Sequence, residues 1–240
     1  MWLSAPADLQ IDSAFIDVWR TRIDLPKPEI NKFAEILSTD EQERAEKFTF
    51  PDKYEEYVVT RGLLRKALSH VLNQSPADFK FDYTKARKPF LSEKLNGQDI
   101  SFNVSHSHGQ ALVAISPGRQ LGIDIEKIRP DVDYEKLAKR FFSAAEHEAL
   151  MHCPVEDQVR AFFATWTRKE AFVKAVGKGI AFGLSEFDVN IDPREPPKMQ
   201  ATRWDANDVN KWHMASIETK NDYMASVVAD GGEFQLRLWM

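Results

Sequence analysis

The sequence predicts an α+β protein built of two similar lobes, each with a long helix packed on a mainly antiparallel sheet. Three observations predict it. Two long stretches, Pro51 to Asn73 and Val155 to Val176, carry helical apolar spacing. Each is preceded by a short helical stretch opened by a capping box, with Ser38 ahead of Glu41 and Ser143 ahead of Glu146. Each is followed by short strand-like runs that suit antiparallel pairing. The halves share this order without visible sequence identity, so the reading is a pseudo-duplicated chain with lobes over 1–117 and 118–240.

The elements follow in order. Ala14 to Arg20 alternates and is rich in Ile, Val and Trp, which predicts a strand. Glu29 to Leu37 has helical character, and the box at Ser38 opens a second helix through Phe48. Pro51 suits the first turn of the long helix, where Tyr54, Val58, Leu64, Leu68 and Val71 keep the 3.6-residue period. Strands are predicted at Phe79 to Tyr83, Ile100 to Ser105, Ala111 to Ser116 and Leu121 to Ile125. In the second half, helices are predicted at Tyr134 to Phe141, from Ser143 to about Met151, and at Val155 to Val176. Gly177 stands where a left-handed cap ends the last of them. Strands then fall at Phe187 to Ile191, Met199 to Trp204, Trp212 to Glu218, Tyr223 to Ala229 and Phe234 to Trp239. Pro193 to Pro197 is a surface turn between strands.

Composition narrows the function. The chain has 240 residues and a net charge of -5, which argues against general nucleic-acid binding. A phosphate-bearing ligand must therefore meet a local basic cluster. Cys153 is the single cysteine, so no intrachain disulfide forms, as suits a reducing compartment. Apolar runs such as Ala111 to Ile115 and Tyr223 to Ala229 are too short to span a bilayer. The first residues carry neither a basic start nor an apolar stretch, so the expected location is cytoplasmic.

Four groups of residues are candidates for a site. Asp124 and Glu126 project from one face of a strand whose Ile123 and Ile125 face the other way. Two adjacent carboxylates invite a hard divalent cation such as Mg²⁺, although an exposed acidic strand is the plainer alternative. Glu170 and Lys174 share a helix face, either as an ordinary surface pair or, given the apolar residues around them, as groups aimed into a polar cleft. Lys169 faces the same choice between pairing and cleft. Ser105 and His106 end a strand with a hydroxyl and an imidazole, suited to a phosphate or merely solvated. Basic residues of the first half, Arg44, Lys47, Arg61, Lys85, Arg87 and Lys88, are candidates for an anion pocket. No Walker A loop, G-x-G-x-x-G or G-x-S-x-G occurs, and no Cys/His cluster has zinc spacing.

With these segments in view, the chain resembles the 4′-phosphopantetheinyl transferases, specifically the Sfp-type branch with two lobes in one polypeptide. The matching residues are Gly122-Ile123-Asp124-Ile125-Glu126, Phe141-Phe142-Ser143 with Glu146, and Trp166, Lys169, Glu170, Ala171 and Lys174. Gly177-Lys178-Gly179, Asn103 with Ser105 and His106, and Lys88-Pro89-Phe90 complete the match.

The resemblance implies transfer of the phosphopantetheine arm of coenzyme A to a serine of an apo acyl or peptidyl carrier protein. Adenosine 3′,5′-bisphosphate would leave, and the active site would lie in the inter-lobe cleft. It implies Asp124, Glu126 and Glu170 as ligands of Mg²⁺ (or Mn²⁺), with Glu170 and Lys174 catalytic. Coenzyme A would be surrounded by Arg44, Lys85, Arg87, Lys88, Ser105, His106, Asp124, Lys169 and Lys174. Glu170 or a water on the metal would take the serine proton, and Lys174 would serve the leaving phosphate. The carrier would dock on a local apolar or basic patch, with Phe141 and Phe142 as candidates. A monomer is expected, with no membrane or nucleic-acid partner. Fatty-acid, polyketide and peptide carriers all remain open. Two other readings use the same residues: a metal-dependent phosphohydrolase of coenzyme A or a nucleotide, and a binding module without turnover.

Overall fold

The computed structural model describes residues 1–84, 88–92, 99–179, 182–220 and 222–240. The chain forms two units, one of residues 1–118 with 237–240 and the other of residues 119–236. The predicted second lobe therefore loses its last residues to the first unit. There the terminal strand β11 (Gln235–Trp239) lies beside β1 (Phe15–Arg22). The reason is electrostatic as well as apolar. Asp17 on β1 is buried and is held by Arg237 at 2.6 Å and by the Trp239 indole N–H at 2.7 Å.

In the first unit β11, β1, β5 (Gln110–Pro117) and β4 (Ile100–Ser107) form one sheet, with β1–β5 and β4–β5 antiparallel. The β4–β5 hairpin turns at His108 and Gly109, whose φ angles are 42° and 88°. Helices α1 (Lys27–Ala34) and α2 (Thr39–Ala45) lead into α3 (Pro51–Leu72), which the left-handed Asn73 ends. Apolar residues of α3, among them Val58, Leu64 and Leu68, meet Val113, Ile115 and Phe102 of the sheet in one core. A small hairpin, β2 (Phe81–Tyr83) with β3 (Pro89–Leu91), stands beside it. The β3 strand was not expected, because three residues opening on proline carry no readable alternation.

The second unit places β10 (Tyr223–Ala229) between β6 (Leu121–Lys127) and β9 (His213–Ser216), both antiparallel to it. Helix α6 (Val155–Val176) packs along β6 and β10. Helices α4 (Tyr134–Phe141) and α5 (Ala144–His152) precede it, and the hairpin β7 (Phe187–Val189) with β8 (Met199–Thr202) follows. Both long helices thus have 22 residues and lie against antiparallel strands, as the sequence predicts. Among the described residues, no helix is long and apolar enough to cross a membrane.

One device recurs in both units. The capping-box glutamate that opens the short helix also neutralises a buried cation on the long one. Glu41 accepts from Arg65 at 2.6 Å, and Glu146 accepts from Lys169 at 2.7 Å. Arg65 and Lys169 occupy equivalent places along their helices, counted from Pro51 and Val155. A carboxylate already fixed by its own helix start loses little further entropy in holding the second partner.

Candidate active site

Gly122 is where this site begins. A Cβ placed there would stand 2.1 Å from the Ala171 carbonyl oxygen and 2.4 Å from the Ala175 amide nitrogen. Only glycine lets β6 approach the main chain of α6 so closely. Gly122, Asp124 and Glu126 alternate onto the same side of the strand, so the close approach carries both acids to the helix. Ile123 and Ile125, on the other side, are fully buried.

Lys174 of α6 closes the arrangement. Its ammonium lies 2.6 Å from Asp124 Oδ1 and donates to the Ile123 carbonyl at 3.2 Å. Asp124 is buried and Lys174 only partly so, which makes this stronger than an exposed pair. Glu170 lies one turn earlier on the helix and is half-buried. Burial raises its pKa above the ordinary carboxylate value; the charges of Asp124 and Glu126 add to the rise, and Lys174 works against it. The charges of Asp124, Glu126 and Lys174 thus all reach Glu170.

The donor type, rather than a ligating geometry, is what suits a divalent cation here. Asp124, Glu126 and Glu170 offer carboxylate oxygens, the ligand type that Mg²⁺ prefers. In the geometry present, Lys174 is what neutralises Asp124. No group of three or more His, Cys, Asp or Glu among the described residues stands at ligating distances.

Lys169 takes the pairing alternative. Its side chain is completely buried, bonded to Glu146 Oε1 and to the Phe187 carbonyl at 2.5 Å. Burial pulls its pKa down while Glu146 pulls it back up. The expectation that Lys169 contacts coenzyme A is corrected: one residue along a helix turns a side chain by about 100°, so Lys169 leaves the face shared by Glu170 and Lys174. Phe142 is likewise core rather than docking surface, stacked on Phe162 at 5.4 Å between ring centres. Phe141 packs edge-on against Trp166.

In the first unit, a cavity of about 200 Å³ is lined by Tyr57, Thr60, Arg61, Leu64, Pro89, Val104 and His106. Arg61 is held there by Glu41 at 3.1 Å and Tyr83 OH at 2.9 Å. Thr60 Oγ1 is buried there without a hydrogen-bond partner among the described residues, and the Tyr57 hydroxyl, also buried, lies beside Arg61. A cation, an imidazole and two hydroxyls beside an apolar wall suit an anion attached to an apolar or planar body.

His106 thus reaches this cavity, whereas the neighbouring Ser105 is buried on the opposite face of β4. Arg44 is exposed, with its guanidinium 5.4 Å from the centre of the Tyr57 ring. Lys88 sits immediately before β3, and Lys85 and Arg87 lie outside the described residues. Arg61 was visible in the sequence as one basic residue among several. Its helical phase with Tyr57 and Leu64 was the signal that singles it out.

This is an α+β chain of two antiparallel-sheet units, with an acid–lysine cluster on one and a cationic cavity on the other. Residues 25–118 match the family model described as 4′-phosphopantetheinyl transferase, N-terminal, and residues 120–228 match that of the 4′-phosphopantetheinyl transferase superfamily. The chain is 37% identical over 238 residues to the 4′-phosphopantetheinyl transferase HetI of Nostoc sp. (strain PCC 7120), covering 99% of this chain and 97% of that one. It is 29% identical over 167 residues to the 4′-phosphopantetheinyl transferase Sfp of Bacillus subtilis (strain 168), covering 70% of this chain and 72% of that one. The chain belongs to the 4′-phosphopantetheinyl transferase family, in its Sfp-type branch.

Proposed function

We propose that this protein transfers the 4′-phosphopantetheine arm of coenzyme A to a serine of an apo acyl or peptidyl carrier protein, releasing adenosine 3′,5′-bisphosphate. The observation that carries the reading is the Asp124–Lys174 pair beside a Glu170 whose proton affinity is raised by its surroundings. Asp124, Glu126 and Glu170 would hold Mg²⁺, which when bound offsets negative charge on the pyrophosphate.

The remaining work falls to the chain's own groups. A serine hydroxyl is a poor nucleophile, so a positioned base must take its proton as the oxygen attacks the β-phosphorus. Glu170 suits that role because its raised pKa brings it nearer the operating pH. Lys174 would place a positive charge on the departing phosphate oxygen, where negative charge accumulates. In the first unit, Arg61 and His106 would hold a phosphate of coenzyme A, with Leu64, Pro89 and Val104 as the apolar wall for its flat portion. Arg44, Lys88, Ser105, Lys85 and Arg87 are proposed as further contributors.

The test is mass spectrometry of apo carriers incubated with the protein, coenzyme A and Mg²⁺. A gain of one phosphopantetheine mass on the carrier, abolished by Glu170→Ala with the circular dichroism unchanged, is the expected result. Release of phosphopantetheine without any acceptor would instead mark a hydrolase.

A further inference from the structure

Arg168 is almost wholly buried, at 1% exposure, yet no carboxylate among the described residues bonds to it. Nη1 donates to the carbonyl and side-chain oxygens of Asn190, and Nη2 to the carbonyls of Asp192 and Glu195. Every acceptor is a neutral amide oxygen, and Nε finds no partner among the described residues. Burial brings this guanidinium down to about 10, against the pull of Asp192 and Glu195. The hydrogen bonds that hold this charge in the interior thus come from neutral oxygens, with Asp192 and Glu195 acting on it only through their fields, an arrangement that a bound anion would stabilise.

Arg168 lines a second cavity, of about 240 Å³, within the second unit. Arg160 and Lys220 stand on its exposed rim, and Thr167, Ser216 and Ser226 add hydroxyls. Glu218 is the single acid among the described residues of the lining. Arg194 also lines it, but Asp192 at 2.8 Å and Asp157 at 3.6 Å balance that charge. Positive charge gathered in a chain of net charge -5 is a local feature rather than a reflection of composition. The volume admits an oxyanion together with several waters, each taking about 30 Å³.

We propose that this cavity is an oxyanion subsite, accepting one carboxylate or phosphate group through Arg168, Arg160, Lys220 and the adjoining hydroxyls. Its position gives it a purpose. Thr167 lies one helical turn before Glu170, and its hydroxyl is 3.1 Å from that of Ser226. Ser226 in turn pairs across the strands with Asp124, and Met224 with Glu126. An anion seated here is one strand and one turn removed from the acid–lysine cluster. The group is therefore either a free anion or an acidic side chain of the molecule that presents the acceptor hydroxyl; the second source rests on the function proposed above.

Binding of inorganic phosphate, read by calorimetry and by hydrogen exchange, tests the site without any turnover. Saturable binding with added protection of the segments 190–195 and 216–220 is expected, weakened about tenfold or more by the double reversal Arg160→Glu with Lys220→Glu. Glu170→Gln should leave it unchanged. No protection of those segments, or equal protection in the charge-reversed protein, overturns the proposal. Two further arms tell the sources apart. If phosphate and the charge reversal both raise the KM for the acceptor protein, the subsite holds an acidic group of that protein. If phosphate binds and the acceptor KM stays constant, it holds a free anion. Failure of carrier modification altogether would strike the proposed function and leave the calorimetric result standing.

Discussion

Gly122→Ala is the most discriminating substitution this structure offers, because one methyl group tests how the site is assembled. The added carbon would meet Ala171 O at 2.1 Å, Ala175 N at 2.4 Å and Lys174 C at 2.9 Å, where ordinary contact begins near 3.4 Å. All three are main-chain atoms of α6, so no side-chain rotation relieves the clash. Strand and helix must separate by roughly 1 Å, and overpacking of this kind costs about 1–3 kcal/mol or more. A separation of about 1 Å also removes the Asp124–Lys174 bond from hydrogen-bonding range in part, and misplacement by that distance costs on the order of 100-fold in rate. Urea unfolding should show the lower midpoint at unchanged slope. The transfer rate, measured where the variant remains folded, should drop by about 100-fold. Wild-type midpoint and wild-type rate together would refute the claim that close packing of β6 on α6 builds the site.

Other substitutions separate structural charges from functional ones. Lys169→Ala strands the Glu146 carboxylate in the interior and should cost about 3–5 kcal/mol in urea unfolding, with the KM for coenzyme A unchanged in the folded protein. A raised KM at wild-type stability would return Lys169 to the ligand. His106→Ala should raise the KM for coenzyme A several-fold with little effect on stability, since the imidazole is largely exposed, at 42%; an unchanged KM would detach this cavity from the substrate. Glu170→Gln should abolish transfer yet stabilise the protein in chelator at neutral pH. The sign follows from the raised pKa: the carboxyl's favourable contribution is complete below its ordinary value of 4.5 and is lost as pH rises through the higher folded value. The melting-temperature advantage of the Gln variant should therefore grow with pH across that window and vanish at the acid end. A constant difference at all pH values would contradict it.

Much of this was legible because the informative signals were local. Capping boxes, the Gly177 stop and the apolar phases of α3 and α6 are decided within a few residues, and those elements fall where they were expected. The acid pair was legible for the same reason, since strand alternation alone puts Asp124 and Glu126 on one side. What could not be read was which partner each long side chain chooses. Lys169 and Lys174 lie on one helix and carry the same charge. One is bonded to Glu146, far upstream in sequence, and the other to Asp124 on β6. Arg61 stayed hidden among other basic residues because its cavity is assembled from α3, β3 and β4 together.

The duplication was legible in the order of the elements but not in residue identity. What the two units share is not residue identity but a relation: a glutamate that caps a short helix and neutralises a cation buried on the long one. Arginine fills the cationic place in the first unit and lysine in the second. The difference suits what surrounds each. Arg65 spreads its donors over Glu41 and the Pro76 carbonyl, while Lys169 needs only a point charge between Glu146 and the Phe187 carbonyl. In the second unit this locks one side of α6 at Lys169, directly beside Glu170. The pair ties α6 to α5 and to the Phe187 carbonyl of β7, while Lys174, on another face of the same helix, ties it to β6 through Asp124.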